Sequence, residues 1–274
     1  MYQSVNPPEY LKKYIDCFWL GDDKDLRCTP KSHHAIASSK MEILFFCRGI
    51  YSSIDENGNN RAAYNAGFYG HTTSYKHYKA AAQRTTIFGI RFSPLAATTL
   101  FYIPAYELTN MHAKAEDVLG KGGHELIEQI FTAQTFQQKI RLAINFFSKK
   151  IKSPDIKFRS VENMLLKMQQ GNPSIKQVVS EACLSSRQFE RHFKELTGFS
   201  ARTYMKLQRF EKVIEAGHSL QFLSESKLLP FALHFGYYDQ AHFNRHFKEF
   251  TGVCPKTYFS KIHNDPKSLI KMSF

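Results

Sequence analysis

The sequence predicts an α+β protein of two domains, a β-rich domain with trailing helices in residues 1–150 and an all-α domain in residues 155–274. Short apolar segments separated by turn residues fill roughly residues 10–92, which is typical of an antiparallel barrel or sandwich. Beyond residue 155 the pattern indicates only helices and turns, and one segment there occurs twice. The all-α domain is therefore predicted to contain two copies of one structural unit.

The amino-acid composition is typical of a folded, globular protein. The 274 residues suffice for two ordinary domains, and 43% hydrophobic with 22% charged residues argues against disorder. No apolar run reaches the length of a membrane span, and the first residues lack the pattern of a secretory signal, so we expect a cytoplasmic protein without membrane contact. Five scattered cysteines without a C-x-x-C pair favour free thiols over a metal or redox site.

The β-domain is predicted from aromatic and β-branched segments. Residues 41–50, 66–70 and 85–92 are the strand candidates, and Asp55 to Asn60 is the expected hairpin loop. The pattern changes at Ser93, which is expected to cap a helix that begins with Pro94.

Helical apolar spacing then continues through residues 95–103, 123–131 and 136–151. These helices can pack on the β-domain or pair with a second subunit, and the sequence leaves both options open. Residues 149–155 are charged and contain a proline, so the domain boundary is placed there.

The positive charge is concentrated in the second domain. Residues 1–150 carry 18 Lys and Arg against 13 Asp and Glu, a net +5, whereas residues 151–274 carry 19 against 11, a net +8. A basic domain of this size attracts polyanions, most commonly nucleic acid, although charge of this kind also serves solubility.

The duplicated segment decides between these two interpretations. Residues 189–198 recur as residues 243–252, and ten of the sixteen positions from 189 to 204 are identical at an offset of 54. Each copy has the pattern of a helix-turn-helix unit.

The caps and stops of the two units are predicted from residue type. In the first, Ser174 caps a helix to about Glu181, Ser185 caps the second helix, and Gly198 ends it. In the second unit Pro230 is expected near the start of the first helix, Gly236 in the turn, and Asp239 as the cap of the second helix.

Helical geometry separates the side chains of each second helix into two faces. Phe189, Phe193 and Leu196 share a face and should be buried, as should Phe243, Phe247 and Phe250. The outward side chains in the two copies are Arg187, Glu190, Arg191 and Lys194, and Ala241, Asn244, Arg245 and Lys248. Arg, Asn and Glu can hydrogen-bond base edges, whereas the two lysines suit phosphate. A solvated face that binds nothing is the plain alternative, and the recurrence of the same Arg and Lys argues against it. His192 and His246 are interpreted as packing or phosphate-proximal residues and not as metal ligands.

Residues 174–259 resemble the DNA-binding domain of the AraC family of bacterial transcription regulators. The resemblance rests on Gly236 to Lys248 (GYYDQAHFNRHFK) with Gly252 and Pro255, and on Ser185, Phe189, Arg191, Phe193, Lys194 and Gly198 in the first copy, where Ala201 replaces the proline. It implies double-stranded DNA as the partner, and a long helix over about residues 203–216 that holds two recognition helices in successive major grooves about 34 Å apart. It also implies base-facing roles for Arg187, Glu190, Arg191, Gln240, Asn244 and Arg245.

Residues 1–150 resemble the amino-terminal domains attached to such regulators, on the segments Phe88 to Ala97 and Tyr106 to Leu108. This resemblance implies a cupin-like barrel with dimerisation helices, a small-molecule effector that the sequence does not identify, a possible homodimer and a contact with RNA polymerase. No cofactor is expected, and no effector residue is assigned.

Three other functions are alternatives to DNA binding. A cupin metalloenzyme would need clustered histidines, but His71 and His77 are six residues apart, and the adjacent His33 and His34 would point to opposite faces of a strand. A DNA-repair enzyme with a reactive cysteine would need clustered cysteines. The third alternative is a module that binds an acidic protein. Only the observation of salt-sensitive, sequence-selective binding to duplex DNA excludes it. We therefore predict neither catalysis nor a bound metal.

Overall fold

The computed structural model describes residues 2–23, 32–49, 51–54, 63–80, 85–151, 158–170, 177, 180–181, 184–219 and 225–264. The strands are β1 Tyr2–Val5, β2 Ile15–Asp23, β3 Ser32–Ala35, β4 Met41–Arg48, β5 Tyr51–Ile54, β6 Ala66–Tyr69, β7 Lys76–Ala80, β8 Thr85–Phe92 and β9 His112–Lys114. The helices are α1 Ala115–Leu119, α2 Gly123–Thr132, α3 Phe136–Ser148, α4 Arg159–Gln170, α5 Ser186–Thr197, α6 Ala201–Ser219, α7 Glu225–His234, α8 Gln240–Thr251 and α9 Pro255–Asn264. Two short helices, Ala97–Phe101 and Ala105–Leu108, connect β8 to β9.

The amino-terminal strands form two antiparallel sheets, as the sequence predicts. One has the order β1-β2-β8-β4-β6-β9, and the other has the order β3-β7-β5. Successive side chains of β4 point to opposite faces of the sheet. Ile43 and Phe45 belong to the main core, whereas Leu44 and Phe46 form a smaller cluster with Trp19 on the other face.

Between the sheets lies a cavity of about 60 Å³, whose lining includes Leu44, Phe46 and Tyr78. Glu42 and Arg91 also line it, with Arg91 Nε donating to Glu42 Oε1 at 2.7 Å. Burial raises the pKa of the Glu42 carboxyl, and the Arg91 guanidinium opposes that shift. The volume is below the roughly 150 Å³ of a protein cavity that holds benzene, so this space is too small for a ligand of that size.

Helices α2 and α3 pack on the β-domain. Ile130 of α2 and Ile140, Ala143 and Phe147 of α3 are buried in the main core, which is the packing alternative left open by the sequence. Thr135 and Gln138 form the capping box at the start of α3. Whether these helices also pair with a second subunit stays a prediction.

Two predicted helix starts are wrong. Ser93 does not cap a helix, because its hydroxyl donates to the Lys13 carbonyl at 2.6 Å and the next helix begins at Ala97 without a side-chain cap. Pro230 lies inside α7 as its sixth residue, so it removes one interior backbone hydrogen bond instead of occupying the first turn.

Other predicted elements lie partly or wholly outside the described residues. The predicted hairpin loop, residues 55–60, lies wholly outside them. Most of the first helix of the first unit also lies outside, and its described residues, 177 and 180–181, are helical. Residues 152–157 also lie outside, so the domain boundary stays a prediction. The long connecting helix is observed as α6, longer than predicted at both ends.

Candidate nucleic-acid interface

The second helix of the first unit, α5, is defined by its caps. Ser185 accepts a hydrogen bond from the Gln188 amide while the Gln188 side chain accepts from the Ser185 amide, which completes a capping box. Gly198 ends the helix at φ 81°, the left-handed conformation that glycine adopts without strain. Thr197 Oγ1 donates to the Phe193 carbonyl at 2.8 Å and fixes the last turn.

The second copy repeats this construction in α8. The Asp239 carboxylate accepts from the His242 amide at 2.6 Å, and Gly252 ends the helix at φ 76°. Thr251 Oγ1 donates to the Phe247 carbonyl at 2.8 Å, as Thr197 does to its own helix. The caps predicted for the second helix of each unit, Ser185 and Asp239, are therefore confirmed, whereas Ser174 lies outside the described residues.

The core faces of both helices are buried as predicted. Phe189, Phe193 and Leu196 have no exposed surface, and neither have Phe243 and Phe247. Phe189 and Phe193 contact each other at a centroid distance of 5.4 Å in α5, and Phe243 and Phe247 at 5.5 Å in α8. This packing fixes the rotation of each helix and so determines which side chains face solvent.

The structure places the predicted DNA-contacting residues in two groups. The exposed residues are Arg187, Arg191 and Lys194 on α5, and Arg245 and Lys248 on α8. The partly buried residues are Glu190 on α5, and Gln240 and Asn244 on α8. The exposed face of each helix thus carries Arg and Lys at equivalent positions of the repeat.

Two predicted residues have surroundings that the sequence did not reveal. A Glu190 carboxylate oxygen accepts from the Ala201 amide at 3.4 Å, which ties α5 to the first turn of α6. Asn244 Oδ1 is enclosed without a hydrogen-bond partner, so this side chain must rotate before its amide can pair with a base edge.

Lys194 lies near the amino-terminal domain, with its Nζ 6.0 Å from the centre of the Tyr106 ring. His192 and His246 are partly buried beside aromatic rings, as a packing role predicts. The pKa of His246 is lowered to about 4 by burial and by neighbouring cations, so this imidazole is neutral at physiological pH.

The sequence pattern does not single out Tyr238 as a functional residue. It stands immediately before the α8 cap and is 87% exposed, whereas Tyr237 is buried. The available signal was the tyrosine pair at the entry to a capped helix, where only one ring can face the core. Its exposure makes Tyr238 a further candidate for DNA contact.

In the part of the chain that the structure describes, no group of three or more His, Cys, Asp or Glu side chains could hold an ion. The side chains of His33, His34 and His77 lie outside that part. No helix within the described ranges is long and apolar enough to cross a membrane.

Two capped helices with exposed Arg and Lys, joined by one long helix, are the arrangement of a double helix-turn-helix DNA-binding protein. A family model described as a helix-turn-helix domain matches residues 178–261, and one described as a domain of unknown function (DUF6597) matches residues 3–114. No curated protein sequence matches the chain.

Among solved structures, the chain is similar to ToxT from Vibrio cholerae, with a TM-score of 0.51, 13% identity, and 89% of this chain and 98% of ToxT covered. It is also similar to unsaturated fatty acid bound ToxT from Vibrio cholerae strain SCE256, with a TM-score of 0.50, 12% identity, and 88% and 93% covered. These likenesses concern the two-domain fold. The carboxy-terminal region is an AraC-type helix-turn-helix domain, and the chain is a DNA-binding transcription regulator.

Proposed function

We propose that this regulator reads two successive major grooves, with α5 in one and α8 in the other. Arg187, Arg191 and Arg245 are assigned to base edges, because an exposed guanidinium can bind guanine through two hydrogen bonds. Lys194 and Lys248 lie further along their helices and are assigned to phosphates. The observation that carries this proposal is the recurrence of one exposed basic face, opposite one buried phenylalanine face, in both units.

The remaining predicted residues have narrower proposed roles. Gln240 lies in the first turn of α8 and is placed for a base or phosphate contact. Asn244 is assigned to adenine after rotation of its side chain, and Glu190 to cytosine or to its bond with α6.

The experiment is selection of duplexes from a random pool by the full-length protein, followed by affinity measurements on the selected and on scrambled sequences. Specific binding about 10³-fold or more tighter than non-specific binding supports the proposal. Equal binding to both, at all salt concentrations, refutes sequence reading and favours a generic polyanion surface or a protein partner.

We further propose that a small amphipathic carboxylic acid modulates this regulator from a cleft of about 630 Å³ between its domains. The cleft is large enough for a small ligand, unlike the cavity between the sheets. The charged residues of its lining are Lys12, Lys13, Lys40, Arg91 and Lys212 with Asp16, Glu211 and Glu215. Its apolar wall includes Ile36, Leu95, Phe210 and Ile214. A single carboxylate on an apolar body matches both features, and ToxT, which has a similar fold, is described with a bound unsaturated fatty acid.

A thermal-shift series of straight-chain acids of increasing length, with the matched alcohols as controls, tests this proposal. Stabilisation by the acids that is reduced in Lys40→Ala supports the cleft. Equal stabilisation by acids and alcohols would assign the effect to apolar surface alone.

We also infer a cytoplasmic, non-catalytic role, because the fold and domain family are those of transcription regulators and a regulator acts where its operator DNA is. A second copy of the chain and RNA polymerase are the expected protein partners. Sedimentation with and without the selected duplex tests the first, and promoter transcription with purified polymerase tests the second.

A further inference from the structure

Two loops and one short segment of the amino-terminal domain form a connected surface against the DNA-binding domain. We call residues 37–39, 71–75 and 109–110 the docking platform. Ser38 N donates to the Thr72 carbonyl at 3.0 Å, Thr72 N donates back to the Ser38 carbonyl at 2.9 Å, and Asn110 N donates to the His71 carbonyl at 2.8 Å. These backbone hydrogen bonds connect the three segments of the platform to one another.

The platform contacts the end of α5 at Gly198. A Cβ at this position would lie 1.9 Å from His71 Nε2, so only a glycine allows the approach. Thr109 Oγ1 donates to the Gly198 carbonyl at 3.3 Å, and the His71 ring meets the Phe199 ring at 4.6 Å.

The platform contacts the end of α8 at the equivalent position, Gly252. A Cβ there would lie 2.8 Å from the Tyr75 ring. Ala37 N donates to the Phe250 carbonyl at 2.9 Å. This carbonyl belongs to the last turn of α8, where intrahelical donors are absent, so the amino-terminal domain supplies the missing partner.

The platform also holds the middle of α6, the helix that joins the two units. The Glu211 carboxylate accepts from Ser39 N at 2.6 Å, from Ser39 Oγ at 2.9 Å and from Gln208 Nε2 at 2.6 Å. Burial raises the pKa of Glu211, and Lys40 and the Ser39 bonds oppose that shift.

We propose that the docking platform sets the distance and phase between the two recognition helices, with Ser39, His71 and Tyr75 as positioning residues for DNA. The inference rests on the proposed reading of two grooves. The connecting helix already restrains both units through its own bonds, such as Ala201 to Glu190 of α5 and Lys206 to Glu249 of α8. The platform adds contacts at three further points, which restrict relative bending and twisting more tightly. When bending and twisting are already restricted in the free protein, it tolerates a narrower range of spacings between the two DNA half-sites.

The experiment measures the binding of the full-length protein to its selected duplex, with one base pair inserted or deleted between the half-sites. Each change moves a half-site by about 3.4 Å along the axis and about 35° around it. We expect the wild type to lose affinity about tenfold or more, which is about 1.4 kcal/mol. The double variant Ser39→Ala/Tyr75→Ala should lose less than about threefold in affinity on the same insertion or deletion. Tyr10→Ala is the matched control, because Tyr10 bonds Ser148 within the amino-terminal domain and should keep the wild-type profile.

A pair of glycine substitutions provides a second test. Asparagine tolerates positive φ better than other residues, so Gly198→Asn keeps the helix stop but collides with His71. Gly236 has φ 75°, and a Cβ added there would lie 3.9 Å from its nearest neighbour, Arg209 Nε. Gly236→Asn therefore reproduces the backbone strain without the collision. We expect a flattened spacing profile for Gly198→Asn alone.

The possible failures are distinguishable. A wild type that selects no sequence refutes the proposed function itself. A wild type with a sharp spacing preference that survives in both Gly198→Asn and Ser39→Ala/Tyr75→Ala refutes the inference, because α6 alone would then fix the spacing.

Discussion

The assignment of Lys194 and Lys248 to phosphates can be tested by salt dependence. Both side chains are exposed, and both lie at the same position of the repeat. Each neutralised phosphate contributes about 0.9 to the slope of log affinity against log salt. The double variant Lys194→Ala/Lys248→Ala should therefore lower the slope by about 1.8, and each single variant by about half of that.

The magnitude can be restated as a fold-change. Between 50 and 200 mM salt, a slope difference of about 1.8 corresponds to roughly a twelvefold smaller loss of affinity for the double variant than for the wild type. Fluorescence anisotropy with a labelled duplex across that salt range measures it, on both selected and scrambled DNA. The reduction should be the same on both duplexes, because phosphates carry no sequence information.

The control is Lys121→Ala, which removes an exposed positive charge in the amino-terminal domain, outside both recognition helices. This variant should keep the wild-type slope. An unchanged slope in the double variant would refute the phosphate assignment. An equal reduction in Lys121→Ala would show that net charge, and not contact, governs the affinity.

Three further predictions concern base reading, packing and pH. Arg245→Ala should cost about 1–3 kcal/mol on the selected duplex and little on scrambled DNA, and equal losses would assign this residue to phosphate. Phe193→Ala and Phe247→Ala should each destabilise the protein by about 3–5 kcal/mol in urea unfolding, and a much smaller loss in either would contradict the equivalent cores. Burial lowers the pKa of His71 to about 3, so the unfolded chain binds its proton more readily and stability falls as pH drops from about 6.5 towards 3, by up to about 1.4 kcal/mol per unit. Urea unfolding at pH 7, 6 and 5 should show this loss in the wild type and less of it in His71→Gln, whereas equal pH dependence would argue against the buried neutral imidazole.

Features that depend on local sequence were predictable. Ser185 and Asp239 were identified as caps, and Gly198 and Gly252 as stops, because each satisfies backbone groups within one turn of itself. The phenylalanine faces followed from helical spacing. The repeat strengthened these predictions, since two copies with the same pattern constrain one structure.

Features that depend on distant contacts were not predictable. Ser93 has the residue type of a cap, but the carbonyl of Lys13 from another part of the β-domain takes its hydroxyl. Glu190 has the position of a base reader, but the amide of Ala201 engages it. The sequence predicts Gly198 only as a helix stop, because nothing near it in sequence indicates that His71 fills the space beside its Cα.

Ser38 belongs both to the interdomain cleft and to the docking platform. This residue lines the interdomain cleft, its backbone pairs with Thr72 inside the docking platform, and its hydroxyl donates to Glu211 at 3.3 Å. Lys40, beside it, pairs with Asp16 at 2.7 Å and also opposes the raised pKa of Glu211. An acid bound in the cleft would compete with both carboxylates for Lys40 and so change the electrostatic support of the Glu211 contact on α6. Because coupling free energies are reciprocal, an acid that weakens the platform must itself bind more weakly when correctly spaced DNA holds the platform in place.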